Sequence, residues 1–192
     1  MKPGLVIWFT GLPGSGKSTI ARLLAKRVSH PCVLISMDAI RKKIYPKPTY
    51  SDIERDVSYR CFVLIASHLS YAGVTVILDG TGHKLVWRKL ARTECPRFVE
   101  IFVKCPIEIC IERETKRRDN SFVRKKLYEK ALTRLRQGKR IRGMGKMPGI
   151  DESYEESPKP EIVLDSSSKA PRQLLKQVTE ELSEYSPDLF MT

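Results

Sequence analysis

No apolar run in this chain is long enough to cross a bilayer. A stretch such as Phe62-Val63-Leu64-Ile65-Ala66 falls far short of the roughly 20 residues a membrane helix needs. Met1-Lys2-Pro3-Gly4 leads straight into the first apolar segment and leaves no stretch for a signal peptide. Cysteine and histidine are sparse, at five and three residues. Cys32, Cys61, Cys95, Cys105 and Cys110 lack metal-ligand spacing, and their odd number in mostly apolar contexts reads as reduced thiols of a cytoplasmic protein. Repeats and low-complexity tracts are missing as well. What remains is a globular chain of 192 residues, enough for one domain, residues 1–192, with a sizeable core.

Acidic residues are the scarcer charge, 22 against 35 Lys and Arg, and the excess of +13 is uneven. Between Arg113 and Lys146 there are fourteen basic residues and three acidic ones, a net of +11. From Met147 to Thr192 the balance reverses, with four basic and ten acidic residues. A basic segment of this density suits either a solvated helical face or a polyanionic ligand, nucleotide or nucleic acid. The aromatic-interleaved basic pattern of an RNA-binding module is absent, so nucleic acid is not the favoured partner. Homodimerisation is left open by the sequence.

The most informative segment is Gly11-Leu12-Pro13-Gly14-Ser15-Gly16-Lys17-Ser18, which fits G-x-x-x-x-G-K-[ST]. Leu5–Phe9 before it is a run of strand formers, and Ile20, Leu23, Leu24 and Val28 after it keep helical spacing. Strand, glycine loop and helix form the context in which backbone N–H groups converge on a phosphate. The reading gives Gly11 to Thr19 to ATP, Lys17 to the β- and γ-phosphates, and the Ser18 hydroxyl to Mg²⁺.

Further strands are expected at Cys32–Ile35, Val74–Leu78, Val99–Val103 and Glu161–Leu164. Most are continuous apolar runs, as in strands covered on both faces. Helices are expected over Ser18–Val28, Ser51–Tyr71, Lys84–Thr93, Ile107–Lys116 and Pro171–Tyr185, with Ser51 and Glu54 as a capping box and Pro171 in a first turn. The fold class is therefore α/β, a three-layer sandwich around a mainly parallel sheet of about five strands. Met144–Pro160 reads as a loop returning to the last strand.

In such sheets ligands sit at the carboxyl ends of strands. Asp38 follows the second strand, where it suits proton acceptance or a water-mediated hold on Mg²⁺, or simply the N-cap of a helix; Arg41 would clamp an anionic acceptor. Asp79 follows the third strand and reads equally as a Mg²⁺ ligand or base and as a turn aspartate. His83 beside it reads as an ordinary loop histidine. Arg113 to Lys146 suits a basic lid over the phosphates, with Arg113, Lys116, Arg117 and Arg118 as candidates for the closing charge.

With these residues in view, the chain resembles the adenylylsulfate kinases, P-loop kinases that phosphorylate the ribose 3′-hydroxyl of adenylylsulfate. The likeness rests on the phosphate loop, Asp38-Ala39-Ile40-Arg41, Tyr50-Ser51-x-x-Glu54-Arg55-x-x-Ser58-Tyr59-Arg60, and Pro106-Ile107-Glu108-Ile109-Cys110-x-x-Arg113. It continues through Leu127-Tyr128-Glu129-Lys130-Ala131 and Gly149-Ile150-Asp151-Glu152-Ser153-Tyr154-Glu155. The resemblance implies an ATP- and Mg²⁺-dependent kinase of sulfate assimilation with Asp38 catalytic. It also implies that Arg41, Tyr50, Arg55 and Ser58 surround the acceptor. Two departures fall on the acceptor side. Ser58 replaces the family's asparagine, and Gly80-Thr81-Gly82-His83 stands where the family carries F-I-S-P, although Arg88 and Ala91-Arg92 match the family again just downstream. Extra basic residues lie between Lys116 and Leu127. Asp79-Gly80-Thr81 is instead similar to kinases of other hydroxyls, including seryl-tRNA, so the alternatives are another small hydroxyl acceptor, an aminoacyl-tRNA, or a nucleotide-gated RNA-binding protein.

Overall fold

Apolar side chains of the central strands of this protein are buried on both sides, and that fixes the layers. In β1 (Val6–Thr10), Ile7 and Phe9 enter one apolar cluster while Val6 and Trp8 enter another. The computed structural model describes residues 2–29, 31–116, 127–138 and 145–190. Among these, β1 is joined by β2 (Cys32–Ser36), β3 (Thr75–Asp79), β4 (Phe98–Lys104) and β5 (Ile162–Asp165) in one parallel sheet of order β2-β3-β1-β4-β5. Seven α-helices among the described residues accompany it: α1 (Lys17–Ala25), α2 (Met37–Ile44), α3 (Asp52–Tyr71), α4 (Leu85–Glu94), α5 (Ile107–Thr115), α6 (Leu127–Gln137) and α7 (Pro171–Tyr185). Buried residues of α1 and α7 cover one face, and Tyr59, Phe62, Val63 and Ala66 of α3 with Trp87 and Ala91 of α4 cover the other.

Each expected strand lies within a residue or so of an observed one. Pro171 opens α7, and Gln173 Oε1 accepts the Ala170 N–H at 2.8 Å to complete the helix start. The expected capping box is only half formed. Ser51 Oγ accepts the Glu54 N–H at 3.3 Å, but the Glu54 carboxylate reaches past Ser51 to the N–H groups of Tyr50 (2.7 Å) and Thr49 (2.8 Å). The chain bends at Tyr50, with φ 60°, and that bend carries these two donors over the first turn.

The segment following Lys146 is fastened across the strand ends. Arg88, 1% exposed, donates to the carbonyls of Gly82 and Glu155, and its Nε lies 2.9 Å from Glu100 Oε1. Ser157 Oγ donates to the same carboxylate at 2.7 Å. This buried ion pair pins the returning loop beneath the site. Arg88→Ala is expected to cost about 3–5 kcal/mol, because Glu100 would stay buried with Arg92, at 3.6 Å, as its nearest described cation. Urea denaturation of the variant checks this, and a loss under about 1 kcal/mol would contradict it.

Candidate active site

The loop between β1 and α1 wraps the start of a helix with no side chain in the way. Gly16 is the N-cap of α1, and the first turn carries neither a side-chain cap nor an acidic residue. The helix start is thereby open to an anionic ligand, although the Thr19 N–H also turns to the Gly16 carbonyl at 3.0 Å. Two glycines are required by geometry. Gly16 has φ 94°, and Gly14 has φ 86° with the Cys110 carbonyl only 2.4 Å from where a Cβ would stand. Tyr128 of α6 donates its hydroxyl to the Pro13 carbonyl at 2.7 Å, and Ser166 Oγ donates to the Ser15 carbonyl at 2.8 Å. The loop is thus held from two sides.

Strand register sets what faces it. Asp79 ends β3 and pairs with Phe9 of β1 and Ser36 of β2, so it stands between the phosphate loop and the start of α2. Ser18 Oγ donates to Asp79 Oδ1 at 3.0 Å, and Lys17 Nζ lies 3.2 Å from the Leu12 carbonyl. Burial pushes the Asp79 carboxyl above the usual carboxylate range, opposed by the charge of Lys17 and the hydrogen bond from Ser18; the nearby Asp38 pushes it further up.

Asp38 lies in the first turn of α2, two residues past the N-cap Ser36, so it is not the cap. Its Oδ1 accepts from Arg41 at 3.0 Å. The Arg41 guanidinium sits over the ring of Tyr50, 5.2 Å from its centroid. Arg55, on the first turns of α3, is buried; it donates to Glu152 Oε2 at 2.8 Å and to the Lys146 carbonyl. His83 Nε2 lies 3.1 Å from the same Glu152 oxygen and 3.4 Å from Arg55.

These groups share one cavity of about 360 Å³. Pro13, Gly14, Gly16, Lys17, Ser18 and Thr19 line its phosphate end, and Asp38, Arg41, Tyr50, Arg55, Asp79 and His83 line the remainder, with Arg113 at the wall. Gly11, Leu12 and Ser15 form the back of the loop, outside the lining. Ser58 is not on the wall either. It is fully buried, and its hydroxyl donates at 2.6 Å to the Glu54 carbonyl one helical turn earlier; Tyr59 reaches the cavity instead. Arg113 is tied to the Ser166 carbonyl at 2.7 Å, whereas Lys116 pairs with Glu112 on the outer surface. Arg117 and Arg118 lie outside the described residues. Part of the expected lid is a packed helix, because Tyr128 and Ala131 turn α6 inward onto Cys105, Cys110 and Met147.

Sequence reasoning passed over His83 as a loop histidine. It is 2% exposed, its ring lies edge-on to Trp87, and burial together with the Arg55 charge pulls it down to about 4, partly offset by Glu152. Lys84 adds to the depression. Between about 4 and the ordinary 6.5 the unfolded chain binds a proton that the folded one does not. Stability therefore rises with pH across that window and is lost as pH falls through it. Urea denaturation at pH 7 and 4.5 is expected to differ by roughly 2–3 kcal/mol from this group. His83→Gln should remove that difference, and an unchanged pH dependence would contradict the account.

The residues suit Mg²⁺ in one respect and differ from expectation in another. Ser18 and Asp79 offer adjoining hard oxygens, the donor chemistry of Mg²⁺, while Asp38 is engaged by Arg41. No group of three or more His, Cys, Asp or Glu that could hold a metal occurs among the described residues.

A phosphate-cradling loop after the central strand, a half-buried aspartate at the neighbouring strand end and a cavity running on to a second carboxylate define a P-loop phosphotransferase acting on a hydroxyl group. A family model described as adenylylsulphate kinase matches residues 3–165, and the chain belongs to that family. It is 35% identical over 164 residues to a probable adenylyl-sulfate kinase of Archaeoglobus fulgidus, covering 84% of this chain and 95% of that one. A probable adenylyl-sulfate kinase of Pyrococcus abyssi is 34% identical over 171 residues, 88% of each chain. In fold it matches the Mycobacterium tuberculosis APS kinase solved with AMPPNP and APS, at a TM-score of 0.75 and 24% identity, over 95% of this chain and 99% of that one. APS kinases use ATP with Mg²⁺. No helix among the described residues is long and apolar enough to cross a membrane.

Proposed function

We propose that this chain, as a single kinase domain, transfers the γ-phosphoryl group of ATP to the 3′-hydroxyl of adenylylsulfate, giving 3′-phosphoadenylylsulfate. The observation that carries this is the continuity of one cavity from Lys17 and Ser18 to Asp38, Arg41, Tyr50 and Arg55. Ser18 and Asp79 would hold a Mg²⁺ carried in with ATP, which would supply counter-charge to the phosphates. The loop N–H groups and Lys17 hold the phosphates and neutralise charge that grows on the transferring group. Asp38 takes the proton of the attacking hydroxyl, oriented by Arg41. The Tyr50 ring, with Arg41 against it, offers a stacking surface to the acceptor's adenine. Arg113, Lys116, Arg117 and Arg118 stand as candidates for lid charge within residues 113–146.

The test is transfer from γ-labelled ATP with Mg²⁺, comparing adenylylsulfate, a buffer blank and total tRNA as acceptors. Labelled adenylylsulfate is the expected product. A labelled tRNA band with adenylylsulfate untouched would move the acceptor to the aminoacyl-tRNA class.

The five cysteines are all free thiols, which supports a cytoplasmic location, and burial raises Cys32 to about 11 and Cys95 to about 12. A homodimer is supported by the outer face of α3, where Ile53, Val57, Leu64 and Tyr71 recur at helical spacing and are 78%, 37%, 57% and 61% exposed. Leu64→Lys is expected to turn a dimer into a monomer in light scattering. A wild-type monomer at high concentration would end this assignment.

A further inference from the structure

Three cations on the acceptor side of the cavity, Arg41, Arg55 and Lys146, already have a carboxylate. Arg41 has Asp38 at 3.0 Å, Arg55 has Glu152 at 2.8 Å, and Lys146 has Asp52 and Glu152, each at 3.5 Å. The Arg55 pair differs from the rest because both partners are largely withdrawn from water, with side chains 8% and 14% exposed. Both terminal nitrogens of its guanidinium are engaged, by Glu152, by the Lys146 carbonyl and by contact with His83. An anionic acceptor reaching Arg55 therefore meets a site that the chain's own carboxylate occupies.

We propose that Glu152 sets acceptor affinity by competing with the acceptor's anionic group for Arg55. The proposal rests on the reading of adenylylsulfate as acceptor and refines it. Glu152 has somewhere to go when displaced. Its other oxygen, Oε1, is 3.5 Å from Lys146 Nζ, and Lys146 is half exposed at the cavity wall. Moving the carboxylate from Arg55 to Lys146 keeps it paired while the guanidinium turns to the incoming phosphosulfate. His83 favours the resting arrangement, since its neutral ring holds the Glu152 oxygen that faces Arg55. A buried guanidinium relieved of its carboxylate binds any replacement anion more tightly, at a cost in fold stability. Glu152 is thus a specificity-setting residue that touches neither ATP nor the transferring phosphoryl group.

The test compares wild type with Glu152→Gln, which keeps shape and one acceptor oxygen but removes the charge. The KM for adenylylsulfate is expected to fall about tenfold, kcat to change less than about twofold, and the KM for ATP to stay put, with a lower Tm. Glu152→Asp keeps the charge and draws it back from Arg55; its KM for adenylylsulfate should lie between the two. If Glu152 merely positions Arg55, both variants raise the KM or leave it unchanged, and the proposal is overturned. Calorimetric titration of the AMPPNP-saturated protein with inorganic sulfate separates this result from the functional reading. Tighter sulfate binding by Glu152→Gln upholds the competition even if adenylylsulfate proves not to be phosphorylated. Equal or weaker sulfate binding removes the proposal whatever the acceptor.

Discussion

Lys17→Ala is expected to lower phosphoryl transfer by about 10²–10³ while leaving the fold in place. The side chain is 8% exposed, runs along the inside of the phosphate loop to within 3.2 Å of the Leu12 carbonyl, and belongs to the cavity lining. An ammonium held there acts on charge that develops during transfer and needs no rearrangement when it does so. Loss of one preorganised group of this kind costs on the order of 10²–10³ in kcat. The residue also exerts the largest opposing pull on the raised Asp79 carboxyl, so its loss should leave Asp79 more readily protonated. Steady-state kinetics with thermal melting as a control for folding check this. Turnover within tenfold of wild type would remove the loop from catalysis.

Asp38→Asn and Asp79→Asn should fail differently, and the contrast assigns the base. Asp38 lies beyond the phosphate end, oriented by Arg41, where an acceptor hydroxyl would enter. Its loss is expected to lower kcat by about 10²–10⁴ with ATP binding intact, the range for removal of a general base. Asp79 is linked to Ser18 at 3.0 Å and stands beside Lys17, so its variant should chiefly raise the Mg²⁺ concentration needed for half-maximal rate. Retained activity in Asp38→Asn, with Asp79→Asn inactive at saturating Mg²⁺, would transfer the base to Asp79.

The sheet was legible because its central strands are covered on both faces. Leu5–Phe9 and Val99–Val103 appear as unbroken apolar runs bounded by loop residues, and both lie in the sheet's interior. Two helices were less visible. Helix α2 is eight residues long with a strongly basic end, and α6 lies inside a basic stretch whose charge obscured the inward spacing of Leu127, Tyr128 and Ala131. The phosphate loop announced itself because its chemistry is local. The acceptor side did not, because it is assembled from distant segments. His83 meets Arg55 across 28 residues of chain and Glu152 across 69. No local pattern reports such pairs. Ser58 illustrates the reverse error: its position in a motif suggested a ligand contact, whereas helical phase turns its hydroxyl back onto Glu54.

The most direct test of the central claim is the position of the new phosphate in the product of wild-type turnover with ATP, Mg²⁺ and adenylylsulfate, read by ³¹P–¹H correlation NMR. The account predicts coupling between the new phosphorus and the ribose H3′ proton, with one ADP formed per product. ATP consumed to ADP and free phosphate with adenylylsulfate unchanged, or phosphate attached at any other position, would contradict it.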